Sequence, residues 1–212
     1  YYIEDLKIFM DEVVKKKGES VFLFAHSMGG GIGALFLEKY QEYFEKAVLS
    51  SPMMEINTGN YSENMAYLIS KFFIYVGKGN NYIFGQGPFN GEYNLEESAT
   101  SNQYRYSRHL NALRANEVLQ RNGGSFKWIN EAIKATRKLK KEENIKKIQI
   151  PILLFQSGKD TFVNDEGHNT FRKYAKNCKF VRFDNGKHEL YFENDDILEP
   201  YLKEIVKFYN EI

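Results

Sequence analysis

The chain has 212 residues, the size of one large domain with room for a subdomain and too short for two full enzyme domains. Lys and Arg number 29 against 28 Asp and Glu, a formal net charge of +1, so no basic excess points to nucleic acid and no acidic excess to a solvating tail. A hydrophobic fraction of 42% with 27% charged residues excludes a disordered chain, and Cys178 as the single cysteine excludes intrachain disulfides and cysteine-based metal clusters. No apolar run approaches the roughly 18 residues of a membrane span. Glu4, Asp5 and Asp11 interrupt any leader-like stretch at the start, which reads as a reducing, cytoplasmic setting.

Ile3, Leu6, Phe9, Met10, Val13 and Val14 recur at three- and four-residue steps, predicting an amphipathic helix with Lys15, Lys16 and Lys17 in its last turn and Gly18 as its stop. Val21 to Ala25 is a short apolar run, the pattern of a strand buried on both faces. A second helix starts near the Gly29–Gly33 cluster, and Lys46 to Ser50 reads as the next strand. Helix, strand, helix, strand is the rhythm of a parallel α/β sheet.

From Met53 to Ile148 that rhythm stops. The stretch holds 13 of the 19 asparagines, and eight aromatics fall between Tyr67 and Tyr93. Helix-like segments at Asn64 to Tyr75 and Ser125 to Lys141 are separated by Gly/Asn-rich breaks. Residues 53–148 therefore read as a mostly helical cap inserted between two parts of a sheet domain, residues 1–52 and 149–212. After Ile150 the rhythm resumes, with strands at Ile152 to Gln156 and Lys179 to Phe183 around a helix at Glu166 to Ala175. A last helix, Asp196 to Ile212, presents Leu198, Leu202, Ile205, Val206 and Tyr209 on one face, with Pro200 expected in its first turn.

The segment most informative about chemistry is Phe24-Ala25-His26-Ser27-Met28-Gly29-Gly30-Gly31, between a strand and a helix. A serine on such a strand-to-helix turn is a nucleophile elbow, and its tightness predicts small residues two before and two after it, here Ala25 and Gly29. The helix that follows points free N–H groups and its positive end at the site, so the Met28 N–H is one expected donor to an oxyanion. A serine nucleophile needs a base, and the base an orienting acid. Of four histidines, His26 adjoins Ser27 and is sent elsewhere by the elbow. His109 lies in the insertion, and His168 is expected on a solvated helix face. His188 follows the last strand in the turn-rich Asp184-Asn185-Gly186-Lys187-His188-Glu189, where active sites of open α/β sheets gather. Asp160 holds the matching place after the preceding strand, with Asp165 and Glu166 as rivals more suited to capping the next helix.

With these residues in view, the chain resembles the serine α/β-hydrolase superfamily, and within it the bacterial lysophospholipase and monoacylglycerol lipase group. The matching stretches are Ala25-His26-Ser27-Met28-Gly29-Gly30, Ser50-Ser51-Pro52-Met53, Gln156-Ser157-Gly158-Lys159-Asp160 and Gly186-Lys187-His188-Glu189-Leu190. In the insertion they are Phe84-Gly85-Gln86-Gly87-Pro88 and Gly123-Gly124-Ser125-Phe126-Lys127-Trp128. The resemblance implies a Ser27–His188–Asp160 triad that cleaves a lipid ester through an acyl-enzyme, without metal or organic cofactor. Phe72, Phe73, Tyr82 and Phe84 are expected to line an acyl pocket, with transient contact at a membrane surface. The alternatives are a short-chain carboxylesterase, an aminopeptidase of the same fold, or a non-catalytic relative.

The resemblance also implies four strands before the nucleophile strand, where only a helix precedes Val21. The chain is therefore expected to be the C-terminal part of an α/β-hydrolase, with Val21 to Ala25 as a bare edge awaiting a companion N-terminal segment. Alone it is expected to show weak esterase activity or none.

Overall fold

The computed structural model describes residues 1–14 and 20–211. Four parallel strands, β1 (Phe22–His26), β2 (Lys46–Ser50), β3 (Ile152–Ser157) and β4 (Cys178–Phe183), form one sheet in the order β1-β2-β3-β4. The chain enters through α1 (Tyr2–Phe9) and a single π turn over Met10–Val14. The expected helix end at Lys15 to Gly18 lies outside the described residues.

Alternation along β2 and β3 divides the core. Ala47, Leu49, Ile152 and Leu154 face one cluster, with Ala34, Phe36 and Leu37 of α2 (Ser27–Tyr40). Val48, Leu153 and Phe155 face the other, with Ile197, Tyr201, Ile205 and Phe208 of the C-terminal helix. Burial on both faces is what continuous apolar strands such as Ile152–Phe155 require. β1 is not buried on both faces: it is an edge strand among the described residues, the bare edge expected of it, and Phe24 is 47% exposed.

Between β2 and β3 lie α3 (Glu63–Tyr75), α4 (Gln103–Ala115), α5 (Phe126–Leu139) and the short α6 (Glu142–Ile145). Helix α4 has no counterpart in the sequence reading, because Leu110 is its one buried residue and it carries no apolar stripe. α3 packs on α5, where Phe73 stacks on Phe126 at 4.0 Å and Phe84 meets both rings edge-on. Within the insertion Lys140 pairs with Glu55 at 2.5 Å and Glu63 at 3.2 Å, and the Glu55 carbonyl accepts from the Asn164 N–H of the sheet domain at 2.9 Å. Leu139, Ile145 and Ile148 complete the tie by entering the first core cluster.

After β3 come α7 (Asp165–Tyr174), β4 and α8 (Asp195–Asn210). Pro200 stands in the second turn of α8, not the first, so the bond its N–H would make to Asp196 is absent. Burial of Ile197, Tyr201, Ile205 and Phe208 holds the helix regardless.

Candidate active site

Ser27 directly follows β1 and begins α2 with φ 51°, a left-handed conformation that costs a non-glycine residue of order 1 kcal/mol. That turn lifts its side chain out of the sheet edge. Its carbonyl accepts a hydrogen bond from the Met53 N–H at 2.7 Å, so the loop leaving β2 braces the turn from below. The need for glycine falls differently from expectation. A Cβ on Gly29 would meet nothing, whereas one on Gly30 would sit 2.6 Å from Pro52 Cβ and one on Gly31 2.6 Å from the Met53 carbonyl oxygen. The close approach is between α2 and residues 52–53, and the next helical turn carries it.

Asp160 and His188 come to Ser27 from the carboxyl ends of β3 and β4. His188 Nε2 is 2.7 Å from Ser27 Oγ, and His188 Nδ1 is 2.6 Å from Asp160 Oδ2. The His188 and Asp160 side chains are almost wholly buried. Asp160 Oδ1 accepts from the Phe162 N–H at 2.8 Å and the Val163 N–H at 3.1 Å, so both carboxylate oxygens are held. A carboxylate on Nδ1 keeps the ring proton there, leaving Nε2 free to accept from the Ser27 hydroxyl. Met28, the second residue of α2, presents a backbone N–H of the kind that lacks an intrahelical partner.

The rival acids do other work. Asp165 pairs with Arg182 at 2.6 Å, and Glu166 accepts from Thr170, so neither caps α7, whose N-cap is Asn164. His168 departs from its expected solvated position. It is buried, with Nε2 2.7 Å from the Pro52 carbonyl oxygen, because that face of α7 packs so closely on Met54 and Glu55 that Gly167 has no room for a Cβ. Burial pushes its pKa down.

Two further residues lie beside the triad: His26, which the elbow was expected to send elsewhere, and Glu193, which the sequence reading missed. His26 donates through Nε2–H to the His188 carbonyl oxygen at 3.2 Å, and burial, reinforced by the neighbouring His188, pushes its pKa down to about 4. Glu193, fully buried, accepts from the Lys187 N–H at 2.8 Å and the Ser101 N–H at 3.0 Å. It thereby joins the loop carrying His188 to the insertion. Glu189 N–H to the Ala99 carbonyl, at 2.8 Å, is a second strap. Glu193 lies five residues after His188, a spacing that carries no signal without the fold.

A cavity of about 1170 Å³ opens in the insertion; Ser27, Asp160 and His188 are not in its lining, and Phe162 on its wall has its ring 4.9 Å from that of His188. Of the four aromatics expected to line an acyl pocket, Tyr82 lines this cavity. Phe73 and Phe84 pack on Phe126, and Phe72 points outward, 60% exposed. Among the described residues no group of His, Cys, Asp and Glu is placed to hold a metal ion.

Comparison with known proteins adds to this geometry. A family model described as Serine aminopeptidase, S33 matches residues 1–195. The probable lysophospholipase L2 of Haemophilus influenzae is 30% identical over 214 residues, covering 99% of this chain and 66% of that protein. Lysophospholipase L2 of Escherichia coli is 24% identical over 217 residues, covering 99% of this chain and 63% of that protein. The chain thus spans slightly less than two thirds of the length of these relatives. Among solved structures, Paleococcus ferrophilus monoacylglycerol lipase superposes with a TM-score of 0.72 at 19% identity, over 97% of this chain and 74% of that one. A soluble variant of monoglyceride lipase from Saccharomyces cerevisiae gives 0.70 at 18%, over 97% and 66%. These two likenesses concern the fold, which is that of an α/β-hydrolase.

Proposed function

The chain belongs to the serine α/β-hydrolase family described as Serine aminopeptidase, S33, and from that premise we propose that it cleaves the fatty-acyl ester of a lysophospholipid or monoacylglycerol. The observation that carries the reading is the 2.7 Å approach of His188 Nε2 to Ser27 Oγ on a strained turn. In this mechanism His188 takes the Ser27 proton as Oγ bonds to the ester carbonyl carbon, and Asp160 stabilises the imidazolium. The Met28 N–H donates to the oxyanion. His188 then protonates the departing glycerol oxygen, giving the acyl-enzyme, and a water activated the same way releases the fatty acid.

A lipid substrate is supported by the names of the relatives and by α3. Its outward face carries Met65, Leu68, Phe72 and Tyr75 at helical spacing, all exposed, with Lys71 and Lys78 beside them. That stripe suits shallow contact with an anionic lipid surface. Co-sedimentation with phosphatidylglycerol vesicles is expected to fall sharply in Leu68→Asp/Phe72→Asp; equal sedimentation would remove the assignment.

The family's description favours a second reading, release of an N-terminal residue from a peptide. One experiment separates the two. A fluorophosphonate is expected to label Ser27 and not Ser27→Ala. The wild-type chain is expected to turn over lysophosphatidylcholine or monoacylglycerol above the Ser27→Ala background while sparing aminoacyl anilides. Labelling with anilide turnover alone would establish the peptidase reading, and no labelling would leave a non-catalytic relative.

A further inference from the structure

Among the described residues two that are not glycine have a left-handed backbone, Ser27 and Ser51, the latter with φ 41°. They are neighbours across the sheet, since the register of β1 on β2 sets His26 beside Ser50. The triad makes no use of Ser51. Such a conformation persists only where its surroundings fix it, and Ser51 is fixed twice. Its N–H donates to the Phe155 carbonyl at 3.0 Å, and its Oγ lies 2.7 Å from Ser157 Oγ, both residues being buried. The chain then turns into Pro52 and Met53. There the Met53 N–H donates to the Ser27 carbonyl at 2.7 Å, and both residues stand against the backbone of Gly30 and Gly31.

His168 secures the same turn. The Pro52 carbonyl accepts from the Met54 N–H at 2.8 Å and from His168 Nε2–H at 2.7 Å. A carbonyl only accepts, so Nε2 carries the proton and Nδ1 is left to accept from the Gln156 amide, 3.4 Å away. Gln156 is itself held by Arg182. A buried side chain that merely filled space would be apolar, because unpaired polar atoms are costly there. Here both ring nitrogens are engaged, one of them on the carbonyl next to Met53.

Resting on Ser27 as the nucleophile of the ester-hydrolase reading above, we propose that Ser51 and His168 are positioning residues for it. They act through the Ser51-Pro52-Met53 turn and hold Ser27 Oγ at the distance from His188 that attack requires. Reaction geometry is steep, since a misplacement of about 1 Å can cost roughly 10²-fold in rate. The turn carries both the hydrogen bond to the Ser27 carbonyl and the surface on which Gly30 and Gly31 pack. A small shift of it therefore moves the nucleophile while leaving the binding of ester untouched.

The test follows the rate of fluorophosphonate labelling of Ser27 in the full chain, with kcat and KM on a monomeric short-chain monoacylglycerol, well below each variant's thermal midpoint. His168→Leu is expected to slow labelling and lower kcat by about tenfold, short of the cost of a full 1 Å misplacement, with KM unchanged. His168→Gln keeps an N–H for the Pro52 carbonyl and is expected to recover most of both rates, which a role in packing alone would not give. Ser51→Ala deletes one hydroxyl and reads the other anchor even where His168→Leu does not fold. It is expected to slow labelling, and adding Ser157→Ala is expected to slow it no further, since both remove the same bond. Labelling unmoved in Ser51→Ala or in a folded His168→Leu would overturn the proposal. So would a rise in KM with kcat intact, or His168→Gln as slow as His168→Leu. The expected labelling pattern without turnover of any ester would keep the positioning role and remove the ester-hydrolase reading. No labelling of the wild-type chain would remove both.

Discussion

The sheet domain and the insertion between β2 and β3 hold their functional residues by different means. In the sheet domain Ser27, Asp160 and His188 sit one or a few residues past strand ends, and the parallel register of β1 to β4 brings those ends together. Position there follows from backbone hydrogen bonds. In the insertion, helices α3 and α5 are held by the Phe73–Phe126 stack and a few ion pairs, while long loops between them carry the cavity walls. Position there follows from side-chain packing, which is individually weaker and easier to reshape. A rigidly held candidate site is thus joined to a region easier to reshape, and Glu193 ties the two together.

The largest effects will come from the sheet side. Ser27→Ala is expected to abolish ester turnover and Asp160→Asn to lower kcat by about 10⁴-fold, both without change in thermal midpoint. A large fall in midpoint for either would show that packing rather than chemistry had been removed. On the insertion side, Phe126→Ala deletes a buried ring and is expected to cost about 3–5 kcal/mol, with protease cleavage appearing first within residues 53–148. If the sheet unfolds in the same transition, the two regions are a single cooperative unit and the contrast drawn here fails. Glu193→Ala probes the tie itself. It strips the acceptor from the Lys187 N–H next to His188 and is expected to cost about 1–3 kcal/mol. It should also slow fluorophosphonate labelling of Ser27.

The smallest effects are in pH dependence. Burial pushes the Glu38 carboxyl up to about 7, and its Oε1 has no hydrogen-bond partner among the described residues. The folded state therefore binds this proton more tightly than the unfolded one. The associated stability is present below about pH 4.5 and lost as pH rises through about 7. His26 runs the other way. With its pKa pushed down to about 4, its stability is present above about 6.5 and lost as pH falls through about 4. Thermal midpoints against pH should be flatter on the basic side in Glu38→Gln and on the acid side in His26→Gln. A wild-type slope retained in either variant would assign that limb to another group.

Much of the sheet domain was legible because its signals are local. Ala47–Leu49 and Ile152–Phe155 are uninterrupted apolar runs, Ser27 and Asp160 follow strands of this kind, and His188 follows the alternating Cys178–Phe183 in a glycine-containing turn. Helix α3 showed through its apolar spacing and α5 through its length and flanking glycines, whereas α4 has neither. His168 was misplaced because its periodicity is that of a surface helix. Its burial depends on Met54 and Glu55, more than a hundred residues away in sequence.

Local backbone chemistry thus determined that strands form, in what order they run, and which residues stand at their carboxyl ends, because apolar runs and glycine turns act over a few residues. Tertiary structure alone decided the rest. It set the 2.7 and 2.6 Å contacts of His188, moved the demand for glycine to Gly30 and Gly31, and brought Glu193 between Lys187 and Ser101. Each of these depends on segments distant in sequence meeting at atomic distance, and hydrophobicity and spacing along a chain carry no record of such meetings.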